Sequence, residues 1–283
     1  MTTYSNKMKK NHFKKLLISG GGVKGLAICG TLEWLQENTK ILDSVQEIYG
    51  SSIGAYIGFF MGLGISFKNI AEIFEIDLME LADIDIKLFL EEFGFDKGTK
   101  FTNLLKATIK IQGFSPTMTF EEFQTISKYK LFVSGTNINK AQIEYFSVDT
   151  HPKMEVVTAL RISGSYPVAF TPIKIGDDLY ADGAIMSPLP CDLIKKEDKK
   201  RTLCIVNHRS ITQNNTDTLH SYILSVISCI IDSLTDKNVD CMRHVITLQY
   251  PLHAMDFSVS FEEKLQMIEY GKERAQEWWK KNI

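Results

Sequence analysis

The strongest constraint on the fold is a pair of glycine-containing turns, each placed between a short apolar stretch and a helical pattern. The first apolar stretch, Leu16 to Ser19, leads into Gly20-Gly21-Gly22-Val23-Lys24-Gly25 and then into helical spacing from Leu26 to Gln36. The second, Val45 to Tyr49, leads into Gly50-Ser51-Ser52-Ile53-Gly54 and another apolar helical pattern. Repeated strand–turn–helix units predict an α/β fold with a mostly parallel central sheet.

The second turn has the Gly-x-Ser-x-Gly spacing of a nucleophile elbow, with Ser52 at its centre. Glycines two residues before and after the serine leave room for a strained backbone. The hydroxyl of Ser52 would then lie at a helix N-terminus, where unpaired N–H groups favour developing negative charge. By itself, the pattern is equally compatible with a plain strand-to-helix turn.

The first turn matches the dinucleotide fingerprint formally, through Gly20, Gly22 and Gly25. That fingerprint requires an acidic residue at the end of the second strand, where this chain has Tyr49 and Gly50 instead. The N–H groups of successive glycines can also hold a carbonyl oxygen that becomes negative during acyl transfer. If the two strands are parallel neighbours, both turns emerge at the same sheet edge, so an oxyanion hole is favoured over nucleotide binding.

A hairpin is predicted where Ile173 to Ile175 and Leu179 to Ala181 flank a Gly-Asp-Asp turn. Asp182 closes the second run, and Gly183 permits a sharp turn after it. A lone Asp-Gly pair is most often only a turn. If the carboxylate of Asp182 lay beside Ser52 and were partly buried, it could serve as a base.

Composition narrows the functional classes. The chain has 283 residues, of which 44% are hydrophobic and 23% charged, as in an ordinary globular protein. A net charge of −2 gives no case for a nucleic acid as the main partner. The five cysteines are widely spaced and odd in number, which argues for a reducing compartment and against a zinc site or a disulfide framework. We expect neither a metal nor a cofactor.

No apolar stretch is long enough to span a bilayer, since Tyr222 to Ile231 has about half the necessary length. The basic N-terminus precedes an apolar run of only Leu16 to Ile18, so it does not resemble a secretory signal. We expect a cytoplasmic protein or one bound peripherally to a membrane. The basic residues could be a solvated tail or could attract anionic lipid weakly.

Three motifs stand in order: Gly20 to Gly25, Gly50 to Gly54, and Asp182-Gly183-Ala184. Together they resemble the patatin-like phospholipase family, which has a glycine-rich oxyanion loop, a Gly-x-Ser-x-Gly and an Asp-Gly-Ala/Gly. The resemblance runs from about residue 15 to about residue 210, and the flanking segment Ser163 to Phe170 is similar too. Lys24 stands where an arginine is more usual, and Ser51 where a threonine is common. The resemblance implies a three-layer α/β/α sandwich around a mostly parallel sheet.

The family also implies a catalytic serine–aspartate dyad, with Ser52 as nucleophile and Asp182 as proton acceptor. The function implied is that of a phospholipase A-type lipid acyl hydrolase, acting through an acyl-enzyme on a lipid at a membrane or micelle surface. The expected oxyanion hole comprises Gly20, Gly21, Gly22, Lys24, Gly25 and Ile53. The residues expected to support the motifs are Gly50, Gly54, Gly183 and Ala184.

The sequence is also compatible with other mechanisms and other functions. A serine–histidine–acid triad could use one of the histidines after the aspartate, namely His208, His220, His244 or His253. The same dyad could transfer acyl groups or act on neutral lipids or acyl-CoA, and a catalytically silent lipid-binding protein is a further possibility. We divide the chain into a basic, flexible tail (1–14), a catalytic domain (15–210) and a C-terminal helical region packed on it (211–283). The oligomeric state is left open.

Overall fold

The structure is a computed structural model that describes residues 13–74, 85–208, 216–256 and 258–283. Its strands in this part of the chain are β1 (Lys15–Ile18), β2 (Glu47–Gly50), β3 (Gly94–Asp96), β4 (Lys130–Asn137), β5 (Gln142–Phe146), β6 (Val168–Phe170), β7 (Ile173–Ile175), β8 (Asp178–Asp182), β9 (Thr202–Asn207) and β10 (His244–Leu248). Its α-helices there are α1 (Gly25–Asn38), α2 (Ile53–Gly62), α3 (Phe67–Phe74), α4 (Ile86–Glu92), α5 (Thr99–Ile111), α6 (Phe120–Ile126), α7 (Val156–Ser163), α8 (Leu219–Asp240) and α9 (Phe261–Asn282).

In the described part of the chain, the main sheet has eight strands, in the order β10-β9-β1-β2-β4-β8-β7, with β5 also paired to β4. The pairings from β10 to β4 are parallel, and those of β4 with β5, β4 with β8 and β7 with β8 are antiparallel. Strands β3 and β6 form a separate parallel pair. The predicted α/β class with a mostly parallel sheet is therefore confirmed. Because β1 and β2 are parallel neighbours, the turns that follow them emerge at one sheet edge.

Side chains alternate across the sheet, so the two faces contribute to two buried clusters. Leu16 and Ile18 of β1 belong to the larger cluster, together with residues of α1, α2 and α7. Leu17, between them, belongs to a smaller cluster on the other face with Leu189 and Met242. The apolar run of β1 is thus buried on both faces, as expected for a central parallel strand.

Local signals in the sequence place several helix ends correctly. The Thr119–Glu122 capping box forms at the start of α6. Ser260 caps α9 by accepting a hydrogen bond from the backbone N–H of Glu263. Ser66 as a cap, with the apolar spacing after it, predicts a helix that runs to about Leu81. The helix is described as far as Phe74, and the rest of the predicted span lies outside the described residues. Residues 1–12 of the predicted basic tail also lie outside them.

The C-terminal region is part of the main fold. Strand β10, which the sequence reasoning missed, pairs with β9 and extends the main sheet. Helix α9 lies directly against α1, and two glycines allow the close approach. A Cβ atom on Gly30 would lie 2.0 Å from the carbonyl oxygen of Ile268, and one on Gly271 would lie 2.0 Å from that of Ala27. The division at residue 210 stays a prediction.

Candidate active site

Ser52 occupies a sharp turn between β2 and α2. Its φ and ψ are 51° and −128°, a conformation that non-glycine residues rarely adopt and that is found at functional turns. A Cβ atom on Gly54 would lie 2.4 Å from the carbonyl oxygen of Ile18, so this position has room only for glycine. The backbone N–H of Ser52 donates a hydrogen bond to Ser163 Oγ at 2.9 Å, which helps to hold the strained turn.

Asp182 ends β8, and its backbone is fixed on both sides. Its N–H donates to the carbonyl oxygen of Ser165 at 2.9 Å, and its own carbonyl oxygen accepts from Thr136 Oγ1 at 2.8 Å. A Cβ atom on Gly183 would lie 2.1 Å from Ser134 Oγ, which explains the glycine after the aspartate. The carboxylate therefore has a defined position at the sheet.

The structure brings Ser52 and Asp182 together, although 130 positions separate them in the chain. Ser52 Oγ donates to Asp182 Oδ2 at 2.7 Å, and the backbone N–H of Ala184 donates to Asp182 Oδ1 at 2.8 Å. Asp182 is only 1% exposed. Burial raises the pKa of its carboxyl group to about 7, while the hydrogen bonds from Ala184 and Ser52 act in the opposite direction. A carboxylate with this pKa can accept a proton from a serine hydroxyl near neutral pH.

The N–H groups around Ser52 fall into two sets. Those of Gly20, Lys24 and Gly25 donate within the protein, to the carbonyl oxygens of Pro188, Gly21 and Gly22 respectively. These three predicted oxyanion-hole residues therefore support the loop rather than offer N–H donors. Within the described residues, the N–H groups of Gly21, Gly22 and Ile53 have no protein acceptor. All three residues line the same cavity as Ser52.

Asn207, at the end of β9, holds the glycine loop in place. Its Nδ2 donates to the carbonyl oxygen of Gly20 at 3.2 Å, and its backbone N–H donates to Ser19 Oγ at 2.8 Å. A Cβ atom on Gly21 would lie 2.3 Å from Asn207 Nδ2. The sequence reasoning missed Asn207 and Ser163, because each acts on a residue more than 100 positions away and has no local motif.

Ser52 and Asp182 line a cavity of about 580 Å³. Its lining includes six aromatic residues, namely Tyr56, Phe74, Phe95, Phe101, Tyr166 and Phe170. Lys24 also lines it and is buried, with Nζ donating to the carbonyl oxygen of His208 at 3.3 Å. Burial lowers the pKa of Lys24, and the nearby Asp232 carboxylate opposes that effect. Lys24 is therefore a buried residue of the cavity wall and not a surface lysine.

The histidines considered for a triad have other partners. His208 Nε2 lies 2.6 Å from Asp236 Oδ1, and His253 Nε2 lies 3.2 Å from Ser228 Oγ. His244 packs edge-on against Phe13. The side chain of His220 lies outside the described part of the structure. The base hydrogen-bonded to Ser52 is Asp182, so the geometry favours a dyad.

The described residues contain neither a metal-ligand cluster nor a membrane-spanning helix. In the described ranges, no three His, Cys, Asp or Glu side chains come together as ligands of a metal ion. In those same ranges, no helix combines the length and the apolar character that crossing a membrane requires.

Comparison with known proteins identifies the family. The model of the patatin-like phospholipase family matches residues 16–194, which include the glycine loop, the elbow and the Asp182-Gly183 turn. The chain belongs to the patatin-like phospholipase family. It is therefore a member of a family of lipid hydrolases. The resemblance noted from the three motifs is confirmed.

Relatives of this patatin-like protein occur in viruses. A probable lipid hydrolase, 463L of invertebrate iridescent virus 6, is 25% identical over 99% of this chain and 93% of its own length. Protein R571 of Acanthamoeba polyphaga mimivirus is 27% identical over 94% of this chain and 93% of its own length.

Solved structures show the same fold. VipD of Legionella pneumophila superposes with a TM-score of 0.66 at 18% identity, over 94% of this chain and 66% of VipD. ExoU of Pseudomonas aeruginosa, in its complex with SpcU, gives a TM-score of 0.53 at 18% identity, over 96% of this chain and 52% of ExoU. This chain therefore spans about two thirds of the VipD chain and about half of the ExoU chain.

Proposed function

We propose that this chain hydrolyses fatty acyl esters of lipids, with Ser52 as the nucleophile and Asp182 as the base. The observation that carries the proposal is the 2.7 Å hydrogen bond from Ser52 Oγ to Asp182 Oδ2 inside a cavity. A serine hydroxyl is a poor nucleophile until a base removes its proton. Asp182 accepts the hydrogen bond from that hydroxyl, and burial raises the pKa of its carboxyl group to about 7, which supports this role.

In the first half of the reaction, Ser52 Oγ attacks the ester carbonyl carbon while its proton moves to Asp182. The carbonyl oxygen becomes an oxyanion, which the N–H groups of Gly21, Gly22 and Ile53 stabilise. Each such donor contributes about 3 kcal/mol to the transition state. When the tetrahedral intermediate collapses, the alcohol leaves with the proton from Asp182, and the acyl group remains on Ser52.

In the second half, Asp182 accepts a proton from a water molecule, which attacks the acyl-enzyme carbonyl carbon. The second tetrahedral intermediate collapses, Ser52 Oγ takes the proton back, and the fatty acid is released. Asp182 thus serves as base and acid in turn. In this scheme, backbone N–H groups supply the charge stabilisation, and no metal or cofactor takes part.

The aromatic wall of the cavity suits a fatty acyl chain, because such a chain gains free energy mainly by burying its methylene groups. The name of the iridescent virus relative, a probable lipid hydrolase, agrees with this substrate class. We place a phospholipid first among the substrates, presented at a membrane or micelle surface.

The test is a product analysis over a mixed panel of phospholipids, lysophospholipids, neutral glycerides and acyl-CoA. Wild type should release fatty acid, whereas Ser52→Ala and Asp182→Asn should not. Ser51→Ala is the matched control, because the Ser51 hydroxyl is buried next to the nucleophile and has no hydrogen-bond partner among the described residues. Release of fatty acid by Ser52→Ala at the wild-type rate would refute the proposed dyad mechanism. Transfer of the acyl group to a lipid acceptor would indicate an acyltransferase on the same dyad.

A further inference from the structure

Helix α8 exposes a row of large apolar side chains and buries polar ones. The two side chains of the helix that are described as buried are both polar, since Ser225 and Thr235 are 7% and 3% exposed, and Leu224 and Ile231 lie with polar residues on the cavity side. Its outward residues are large and apolar, namely Leu219, Tyr222, Val226 and Ile230, which are 73%, 54%, 42% and 52% exposed. A surface helix of a globular protein normally shows the opposite arrangement. We call these four residues the outer face of α8.

The spacing of the outer face makes it one continuous stripe. Its residues follow one another at intervals of three or four positions, which places them on one side of a helix over about 16 Å. From Leu219 to Ile231 the sequence contains no Asp, Glu, Lys or Arg. Beyond Ile230 the same side becomes polar with the exposed residues Ser233 and Lys237. The apolar stripe is therefore confined to the first half of the helix.

The opposite side of α8 forms a wall of the cavity that contains Ser52. That cavity is lined by Leu224, Ser228, Ile231, Asp232 and Thr235. Ser228 Oγ lies 3.2 Å from His253 Nε2. The polar groups on this side therefore have hydrogen-bond partners or face the cavity, which explains why they point inward. A single helix thus separates the cavity from whatever covers its outer face.

A second element beside the cavity also exposes apolar side chains. Phe89 of α4 stacks on Phe95, a cavity residue, with ring centroids 4.5 Å apart. From the same segment, Ile86, Leu90 and Phe93 are 70%, 73% and 62% exposed. The basic side chains there are paired, Lys87 with Glu91 and Lys97 with Glu92. Uncovered apolar surface on two elements beside one lipid-accommodating cavity favours a bilayer over a partner of fixed shape.

We propose that the outer face of α8 docks on a lipid bilayer, with its side chains buried in the interfacial region and the cavity behind it. The proposal rests on the proposed function, because it makes the bilayer the source of the substrate. Helix α8 lies along the membrane rather than crossing it. Because the stripe is uncharged, docking depends on apolar burial, and it occurs on zwitterionic phosphatidylcholine vesicles and survives high salt.

The experiment is co-sedimentation of the full chain with phosphatidylcholine vesicles, at low and high salt. The Val226→Ser/Ile230→Ser double variant should bind at least about tenfold more weakly, since each change removes an apolar side chain from the interface. Ile126→Ser/Ile138→Ser is the matched control, because both isoleucines are 49% exposed and lie outside α8 and the cavity wall. Leu219→Ser/Tyr222→Ser is a second variant of the stripe, and the circular dichroism of every variant is compared with wild type.

The result expected is that both stripe variants lose vesicle binding and the control keeps it. All three should hydrolyse a water-soluble short-chain ester at the wild-type rate, because none of the changed residues lines the cavity. Wild-type binding by a correctly folded stripe variant would overturn the proposal. So would a wild type that binds no vesicles, or a wild-type dimer that the stripe variants convert to monomers. Sedimentation does not require turnover, so a protein that docks but hydrolyses no ester would refute the proposed function alone.

Discussion

Replacement of Asp182 by asparagine should abolish turnover and at the same time stabilise the fold. Burial raises the pKa of Asp182 from 3.8 to about 7, which is about three units. At about 1.4 kcal/mol per unit, the folded state loses about 4 kcal/mol when this group is charged. An asparagine keeps the shape and can accept the hydrogen bond from the Ala184 N–H, but it carries no charge.

The sign of the pH dependence follows from linkage. The unfolded chain releases the Asp182 proton near its ordinary pKa of 3.8, whereas the folded chain retains it until about pH 7. The stability that this group contributes is therefore fully present below 3.8 and is lost as the pH rises through about 7. Relative to wild type, Asp182→Asn should be more stable by up to about 4 kcal/mol near pH 8, and by less than about 2 kcal/mol near pH 5.

The assay is urea unfolding of both proteins across this pH range, with turnover of a soluble ester measured in parallel. Asp178→Asn is the control on the same strand. Lys140 lowers the pKa of the partly buried Asp178 carboxyl group through a hydrogen bond, so removal of that carboxylate should destabilise the fold rather than stabilise it. A stability difference between Asp182→Asn and wild type that does not change with pH would refute the burial argument. Near-normal turnover by Asp182→Asn would refute the dyad.

Three further predictions concern the same site. The kcat/KM of wild type should rise about tenfold per pH unit below about pH 7 and level off above it, because Asp182 must be deprotonated to act as a base; a flat pH–rate profile would contradict this. Ser163→Ala leaves the N–H of Ser52 without its acceptor, so it should cost about 1–3 kcal/mol in thermal unfolding and lower kcat more than it changes KM. Gly22→Ala should lower kcat/KM by at least about a hundredfold, since φ is 54° and the new Cβ would lie 2.0 Å from the Ala254 carbonyl oxygen; wild-type kinetics would exclude a role for this loop.

The parts of the site that were predictable from the sequence are those encoded in short contiguous segments. Gly50 to Gly54 indicated the turn at Ser52, and the run into Asp182-Gly183 indicated a strand ending in an aspartate. Both are local, because the backbone requirements of a tight turn select glycine at fixed spacing. That the two side chains meet followed only from the resemblance to a family, since no local rule brings together residues 130 positions apart.

What the sequence did not predict depends on tertiary contacts. Ser163 and Asn207 are ordinary residues until the fold places them beside Ser52 and Gly20. Strand β10 has only five residues, of which His244 and Thr247 are polar, and its pairing with β9 makes it part of the sheet. The orientation of α8 was equally out of reach, because its serines and its apolar residues both recur with helical spacing. The side of α8 that faces the protein interior depends on the cavity beneath the helix.

The central claim, that Ser52 is a nucleophile activated by Asp182, is tested most directly by labelling with a fluorophosphonate. The label should appear on Ser52 in a peptide map of wild type and of Ser51→Ala, it should be absent from Ser52→Ala, and its rate should fall about a hundredfold or more in Asp182→Asn. Labelling of Ser52→Ala, or labelling of Asp182→Asn at the wild-type rate, would contradict the claim.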